Sequence, residues 1–232
     1  MMDPSQYAID HVVEALMLAR MYAVKQLRPY YATAIFRMVP IATRLVPTLG
    51  VDKWWRLYYN PDLVATLDVR QLASVLIHEV EHLLRDHAGR CERQNWEHER
   101  FNYAGDCEIN DDLINDKAAM LPDWVITPAK FGLEDGLLAE EYYQLMPAWV
   151  GKDKPQCGSG AHGHEQEHEL GPPGGKQRGV GRKEGELVRK KVAEDTLDHH
   201  RKNPGTVPGD VVRWAEQIVH PQIPWERELA GI

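Results

Sequence analysis

The stretch Asp68–Gly89, DVRQLASVLIHEVEHLLRDHAG, decides how the chain is read. Leu72, Val75, Leu76, Val80, Leu83 and Leu84 recur at the three-and-four spacing that puts them on one face of a helix. Asp68 is a suitable N-cap, and Gln71 three residues on completes a capping-box pattern. Gly89 offers a stop at C′. This is the best-marked helix in the chain, and the rest is expected to pack around it.

Upstream, VPTLGVDKWWRLYY (46–59) is rich in β-branched and aromatic residues around a Gly-Val-Asp-Lys break, which predicts a β-hairpin or two short strands. Asn60-Pro61 ends it as a turn. Ile9, Val12, Val13, Leu16 and Ala19 predict an amphipathic helix over about 6–26, and a second apolar helix is expected over about 30–38, stopping near Pro40. Downstream, helices are expected over about 97–115 and 137–146, the latter closed by Pro147. Residues 151–183 hold nine glycines and three prolines with almost no large apolar side chain, which reads as a long loop insert. A charged helix (about 185–202) and an amphipathic one (about 209–219) follow, and PWERELAGI looks like the start of another. The expectation is an α+β fold, mostly helical. It forms one domain over residues 1–232, with a small β-sheet or hairpin packed on the 68–84 helix.

Composition narrows the functional classes. A 232-residue chain with 43% hydrophobic and 27% charged residues has an ordinary globular balance. No run of 18 apolar residues exists, so no transmembrane helix and no membrane partner are expected. The acidic N-terminus lacks a basic, then apolar, leader. Three cysteines (Cys91, Cys107, Cys157) cannot make a disulfide framework, and a reducing cytoplasm fits better. A net charge of −8 argues against nucleic acid as the main partner. Residues 86–116 carry nine acids and three bases. Such a patch is ordinarily a solvated face, but it also suits a cation.

Within the marked helix stands His78-Glu79-Val80-Glu81-His82, the pattern HExxH. Residues four apart on a helix lie about 40° apart and one turn along, so both imidazoles aim at one point. Zn²⁺ accepts two histidine nitrogens there, and Glu79 is placed to act as general base on a metal-activated water. Chance occurrence of the pattern in this composition is about 0.04 per chain. A catalytic zinc needs a third protein ligand. His87, nine residues from His78, would point away on a continuous helix and reads as a surface or supporting residue. The next helix offers Asp106, with Glu108 as the rival and Asp111 behind it. Asp106 is the favoured ligand, with Asn110 on the same face to steady it. Cys107 reads as core.

HEVEHLLRDHAGR (78–90), the preceding RLYYNPDLVATLDVRQLASVL (56–76) and the following NYAGDCEINDDL (102–113) together resemble a metallopeptidase domain family of bacteria and phages, commonly followed by a von Willebrand factor A-like domain. The resemblance extends to GLLAEEYYQLM, CGSGAHG and GTVPGDVVRWAEQIVHPQIPWERELAG. It implies a zincin-like fold and Zn²⁺ held by His78, His82 and Asp106, with Glu79 as base. The chain reads Ala-Gly-Asp at 104–106 where that family suggests Ala-Ala-Asp. The expected function is a zinc-dependent metallopeptidase acting on a protein or peptide substrate. A von Willebrand factor A-like domain or an associated ATPase are the partners considered. The alternative is a non-catalytic, zinc-stabilised protein-binding module.

Three further features bear on function. Cys157, His162, His164 and His168 cluster in the Gly-rich insert and suggest either a second metal site or a reach back to cap the zinc; a polar loop with incidental histidines is the plainer reading. Tyr142 or Tyr143 could stabilise an oxyanion, although packing is the commoner role. Trp54 and Trp55 sit in the expected hairpin, where an edge strand would let a peptide add as a strand. Trp214 and Trp225 read as packing residues.

Overall fold

The computed structural model describes residues 4–116, 118–147, 149–150 and 157–221. Helix α1 (Pro4–Tyr22) runs into a wider π-turn at Ala23–Leu27, then a 3₁₀ turn at Pro29–Tyr31 and α2 (Ala32–Arg37). Three short strands follow: β1 (Val39–Ala42), β2 (Leu49–Val51) and β3 (Arg56–Tyr59). β3 lies in the middle, parallel to β1 and antiparallel to β2, so the hairpin expectation holds and β1 adds a strand the sequence did not signal. Then come α3 (Pro61–Val64), α4 (Val69–Leu84), α5 (His87–Gln94), α6 (His98–Ile114), α7 (Ala139–Leu145), the one-turn α8 (Ser159–His162), α9 (Arg182–Lys202) and α10 (Gly209–Val219). The expected mostly helical α+β architecture is what the chain adopts. The helix start suggested by PWERELAGI lies outside the described residues.

Helix α4 is the centre. Asp68 caps it by accepting from the Arg70 and Gln71 amides at 2.8 Å, and the Gln71 side chain accepts from Asp68 N at 3.2 Å. Every residue from Leu72 to Leu84 is buried, the polar ones included. Its apolar face packs with α1 and the sheet; its polar face meets α6. Burying such a face is tolerable only where each polar group finds a partner.

The helix ends earlier than Gly89 suggested. Asp86 turns into the left-handed region (φ 54°), breaking the helix after Leu84, and α5 starts at His87 with Gly89 inside it. Aspartate tolerates that conformation better than most residues. Its carboxylate is held by Arg93 and Arg189, each at 3.0 Å.

Most of the acidic run at 86–116 is neither solvated nor aimed at a cation. Arg85, buried between α4 and α6, pairs with Glu81, with Glu108 at 3.0 Å and with Asp112 at 2.7 Å. Arg90 holds Glu108 at 2.9 Å, and Glu140 as well. Among these acids, Asp106 is the one turned toward the α4 histidines.

Candidate metal centre

Two helices and one loop build the site. On α4, His78 and His82 present their Nε2 atoms 3.1 Å apart. From α6, Asp106 Oδ1 stands 3.5 Å from His78 Nε2 and 3.2 Å from His82 Nε2. From the segment before α8, Cys157 Sγ lies 3.6 Å from Asp106 Oδ1 and 3.9 Å from His78 Nε2. All four donors lie within 4.8 Å of one another, and all four residues are buried. A tetrahedral zinc with nitrogen or oxygen ligands at about 2.0–2.1 Å requires donor separations of about 3.3 Å, and about 3.5–3.6 Å to a sulfur at 2.3 Å. The donor set therefore fits a zinc-sized ion.

Supporting contacts fix the imidazole tautomers. Asn110 Nδ2 donates to the Ile126 carbonyl at 2.6 Å, which turns Asn110 Oδ1 toward His78 Nδ1 at 2.9 Å. His78 thus keeps its proton on Nδ1 and leaves an Nε2 lone pair for a cation. Asn110 steadies His78 and not Asp106, as same-face reasoning on α6 suggested. His82 Nδ1 faces His87 Nδ1 at 2.9 Å, and His87 Nε2 faces Glu108 Oε2 at 3.4 Å. The break at Asp86 makes this possible: it swings His87 back beneath His82, fully buried, whereas a continuous helix would have carried it away. Gly105 makes room for it, because a Cβ there would sit 2.7 Å from His87 Nδ1. The Ala-Gly-Asp departure thus has a steric reason. Glu108, the rival ligand, is committed to Arg85, Arg90, His87 and the Ala139 amide.

The electrostatics call for positive charge. Burial works to raise the Asp106 pKa, but hydrogen bonds from both histidines outweigh it and hold the carboxyl well below its usual range. Burial also opposes charge on the imidazoles; Asp106 outweighs it at His78, whose pKa rises to about 9, whereas His82, beside His78 and His87, falls to about 3. One imidazole proton therefore sits where a cation would.

Glu79 is 2% exposed. The Val51 amide of β2 works to lower its pKa, while Oε2 has no partner. Burial pushes its pKa up to about 7, partly offset by His78. Glu79 lines a cleft of about 30 Å³ with His78, Asp106, Cys157, Leu49 and Trp124. Asn102, which nothing in the sequence singled out, is buried, and its side chain works to lower the pKa of the Cys157 thiol. The 121–126 segment also went unmarked, because its mixed apolar residues carry no periodic signal.

The remaining candidates are placed elsewhere. Tyr142 donates to Asp111 at 2.7 Å and Tyr143 stacks on Trp96, so neither lines the cleft. His162 donates to the Cys157 carbonyl, His164 stacks on His98, and His168 meets Tyr58 edge-on. These histidines face different partners and form no second cluster among the described residues. Trp55 is core and Trp54 half-buried, both in the β2–β3 turn. Trp214 donates to the Leu84 carbonyl at 3.2 Å. Cys107 is core, as expected. Trp225 lies outside the described residues.

A mostly helical α+β fold that gathers two histidines, an aspartate and a cysteine around one point defines a protein fitted to hold a metal ion. The particular family follows from the sequence: residues 14–232 match the family described as "Putative metallopeptidase domain", and the chain belongs to it. No curated protein and no solved structure matches the chain. Among the described residues, no helix is long and apolar enough to cross a membrane.

Proposed function

We propose that the chain is a zinc-dependent peptidase of the HExxH type, with His78, His82 and Asp106 as metal ligands and Glu79 as general base. The carrying observation is Glu79: a buried carboxylate with Oε2 free, in the same cleft as the ligand cluster. A purely structural metal has no need of such a base. Zinc bound there would supply Lewis-acid polarisation of a peptide carbonyl and lower the pKa of a water. The chain's own groups do the rest. Asn110 and His87 hold the two imidazoles in their ligating tautomers. Glu79 Oε2 takes the attacking water's proton and passes it to the leaving amine. A cation in the cluster pulls the raised Glu79 pKa back down, which keeps the base ionised at neutral pH.

β2 supplies the substrate track in this reading. Asn60 N donates to Thr48 O and Asp52 N to Arg56 O, so the amides of residues 48, 50 and 52 face β3. Those of Leu49 and Val51 face outward from an edge strand; the Val51 amide is directed at Glu79, which leaves that of Leu49 for pairing with an extended peptide.

The second reading, a non-catalytic zinc-stabilised binding module, is favoured by one observation: Cys157 offers a fourth donor, and closed four-ligand sites are usually structural. Two measurements on untagged protein separate the readings. Metal content by mass spectrometry should give about one zinc per chain in the wild type, lost in His78→Ala and Asp106→Ala. Peptide-library cleavage should be lost in Glu79→Gln with zinc retained, by about 10²–10⁴-fold in rate. Zinc retained with equal cleavage by wild type and Glu79→Gln would refute Glu79 as base. No metal in the wild type would sink both readings.

A further inference from the structure

We infer that Cys157 is a fourth ligand, as thiolate, to the ion at His78, His82 and Asp106, and that residues 157–169 form a detachable latch closing both that position and the edge of β2. This rests on the metal reading proposed above and adds regulation of the same site.

Geometry comes first. The Cys157 sulfur stands 3.6 Å from Asp106 Oδ1, the spacing expected of a sulfur ligand sharing a tetrahedron with nitrogen and oxygen, and 3.9 Å from His78 Nε2, a few tenths of an ångström longer. A second observation marks the same place: the buried Glu79 Oε2 has no partner and lines the cleft that Cys157 lines. That cleft, about 30 Å³, has room for about two waters.

The latch sits on the strand that a substrate would use. A Cβ on Gly158 would meet the Val51 carbonyl at 2.5 Å, one on Gly160 would meet it at 2.8 Å, and one on Gly50 would meet Gly158 N at 2.9 Å. Three glycines thus allow backbone to lie on backbone along the outer edge of β2. Polar contacts finish the seat: Lys53 N donates to Ser159 Oγ at 3.1 Å, Ser159 N to Glu169 Oε1 at 2.7 Å, and His98 Nδ1 to the His162 carbonyl at 2.7 Å.

It is built to come off. Between Cys157 and Glu169 the only apolar side chains are Cys157 and Ala161, so the segment contributes little apolar surface of its own, although Gly160 lies on the buried Val51 and Leu83. The next stretch is anchored instead. Arg56, fully buried on β3, donates to the carbonyls of Leu170 (2.6 Å), Gly171 (2.9 Å) and Arg178 (2.7 Å). An incoming ligand with a metal-binding group would displace the thiolate while the anchor stays in place.

Cobalt(II), a spectroscopic substitute for zinc, tests this on the full chain without any assay of activity. Wild type should show the intense near-ultraviolet thiolate-to-cobalt band. Cys157→Ser should bind cobalt without it. Acetohydroxamic acid should shift the visible spectrum of Cys157→Ser at concentrations that leave wild type unchanged. Gly158→Ala keeps the thiol but pushes its Cβ into Val51 O; it should lose part of the band and gain the hydroxamate response, with an unchanged circular dichroism spectrum. Cobalt bound by wild type with no thiolate band would overturn the inference and leave the metal reading standing. Cobalt bound by neither wild type nor Cys157→Ser would overturn the metal reading itself. A band in wild type with no cobalt bound by Cys157→Ser would make Cys157 a permanent staple and end the latch. An equal hydroxamate response in wild type and variants would show that the position is open, which also ends it.

Discussion

Helices α4 and α6 and the segment 157–180 converge on one cluster by different means. Both helices have internal backbone ladders and long buried faces, and α4 a side-chain cap as well, so their position is set by burial of regular surfaces. The segment has one helical turn and a single bridge between Gly174 and Gln177. It is stitched down by side chains from more than 100 residues away: Arg56 to three of its carbonyls, and Tyr58 OH accepting from Leu170 N at 2.9 Å. A glycine-rich stretch that looks like a free loop can therefore be ordered when a distant strand supplies the hydrogen-bonding groups that its own backbone lacks.

The largest expected effect breaks this comparison directly. Arg56→Met would leave Asp52 buried without its 3.0 Å guanidinium partner and three carbonyls without a donor. Loss of one member of a buried pair costs about 3–5 kcal/mol. Urea denaturation should show that loss, and limited proteolysis should cut within 157–181 before it cuts α4 or α6. Unchanged stability and cleavage would mean that the segment is held by something else.

The next prediction concerns the helical side. Gly105→Ala favours helix intrinsically but drives a Cβ to 2.7 Å from His87 Nδ1, displacing the group that orients His82. Metal affinity should fall by about 10–100-fold in a chelator competition. An unaltered affinity would show that His87 orients nothing.

Proton competition sharpens the comparison at the cluster itself. Burial works to lower the His78 pKa, but Asp106 outweighs it and the net value is about 9. Below that pH a cation must displace a proton. Affinity should therefore strengthen as pH rises from 6 toward 9, about tenfold per unit for one proton released, and level off above. Calorimetric titration in buffers of different ionisation enthalpy counts the protons. A pH-independent affinity between 6 and 8 would mean that His78 carries no proton in the free chain.

The smallest effect is a control. Asp68→Ala removes an exposed cap that is remote from the cluster and should cost about 1 kcal/mol in urea with no change in metal affinity. A change in affinity would show that α4 shifts as a unit.

The legible parts share a cause. The α4 cap, α6, α9, α10 and the β2–β3 hairpin rest on local pattern, and the structure places them within a few residues of expectation. β1 was missed because its pairing is parallel and non-local and it carries Pro40, which reads as a terminator. The α4 end was misplaced because Gly89 looked like the stop, whereas Asp86 takes the turn with help from Arg189, about a hundred residues on. That error alone moved His87 from under His82 to the surface.

Chain-local physics settles that His78 and His82 share a point and that Glu79 stands beside them, because a helix repeats its direction every turn whatever surrounds it. Which further donors meet that point depends on how α6 is rotated against α4 and where residue 157 docks. Those are decided by Arg85 among its acids, by Asn110 reaching His78, and by bare glycine backbone on β2. No spacing rule records such contacts, since they join residues that only the completed packing brings together.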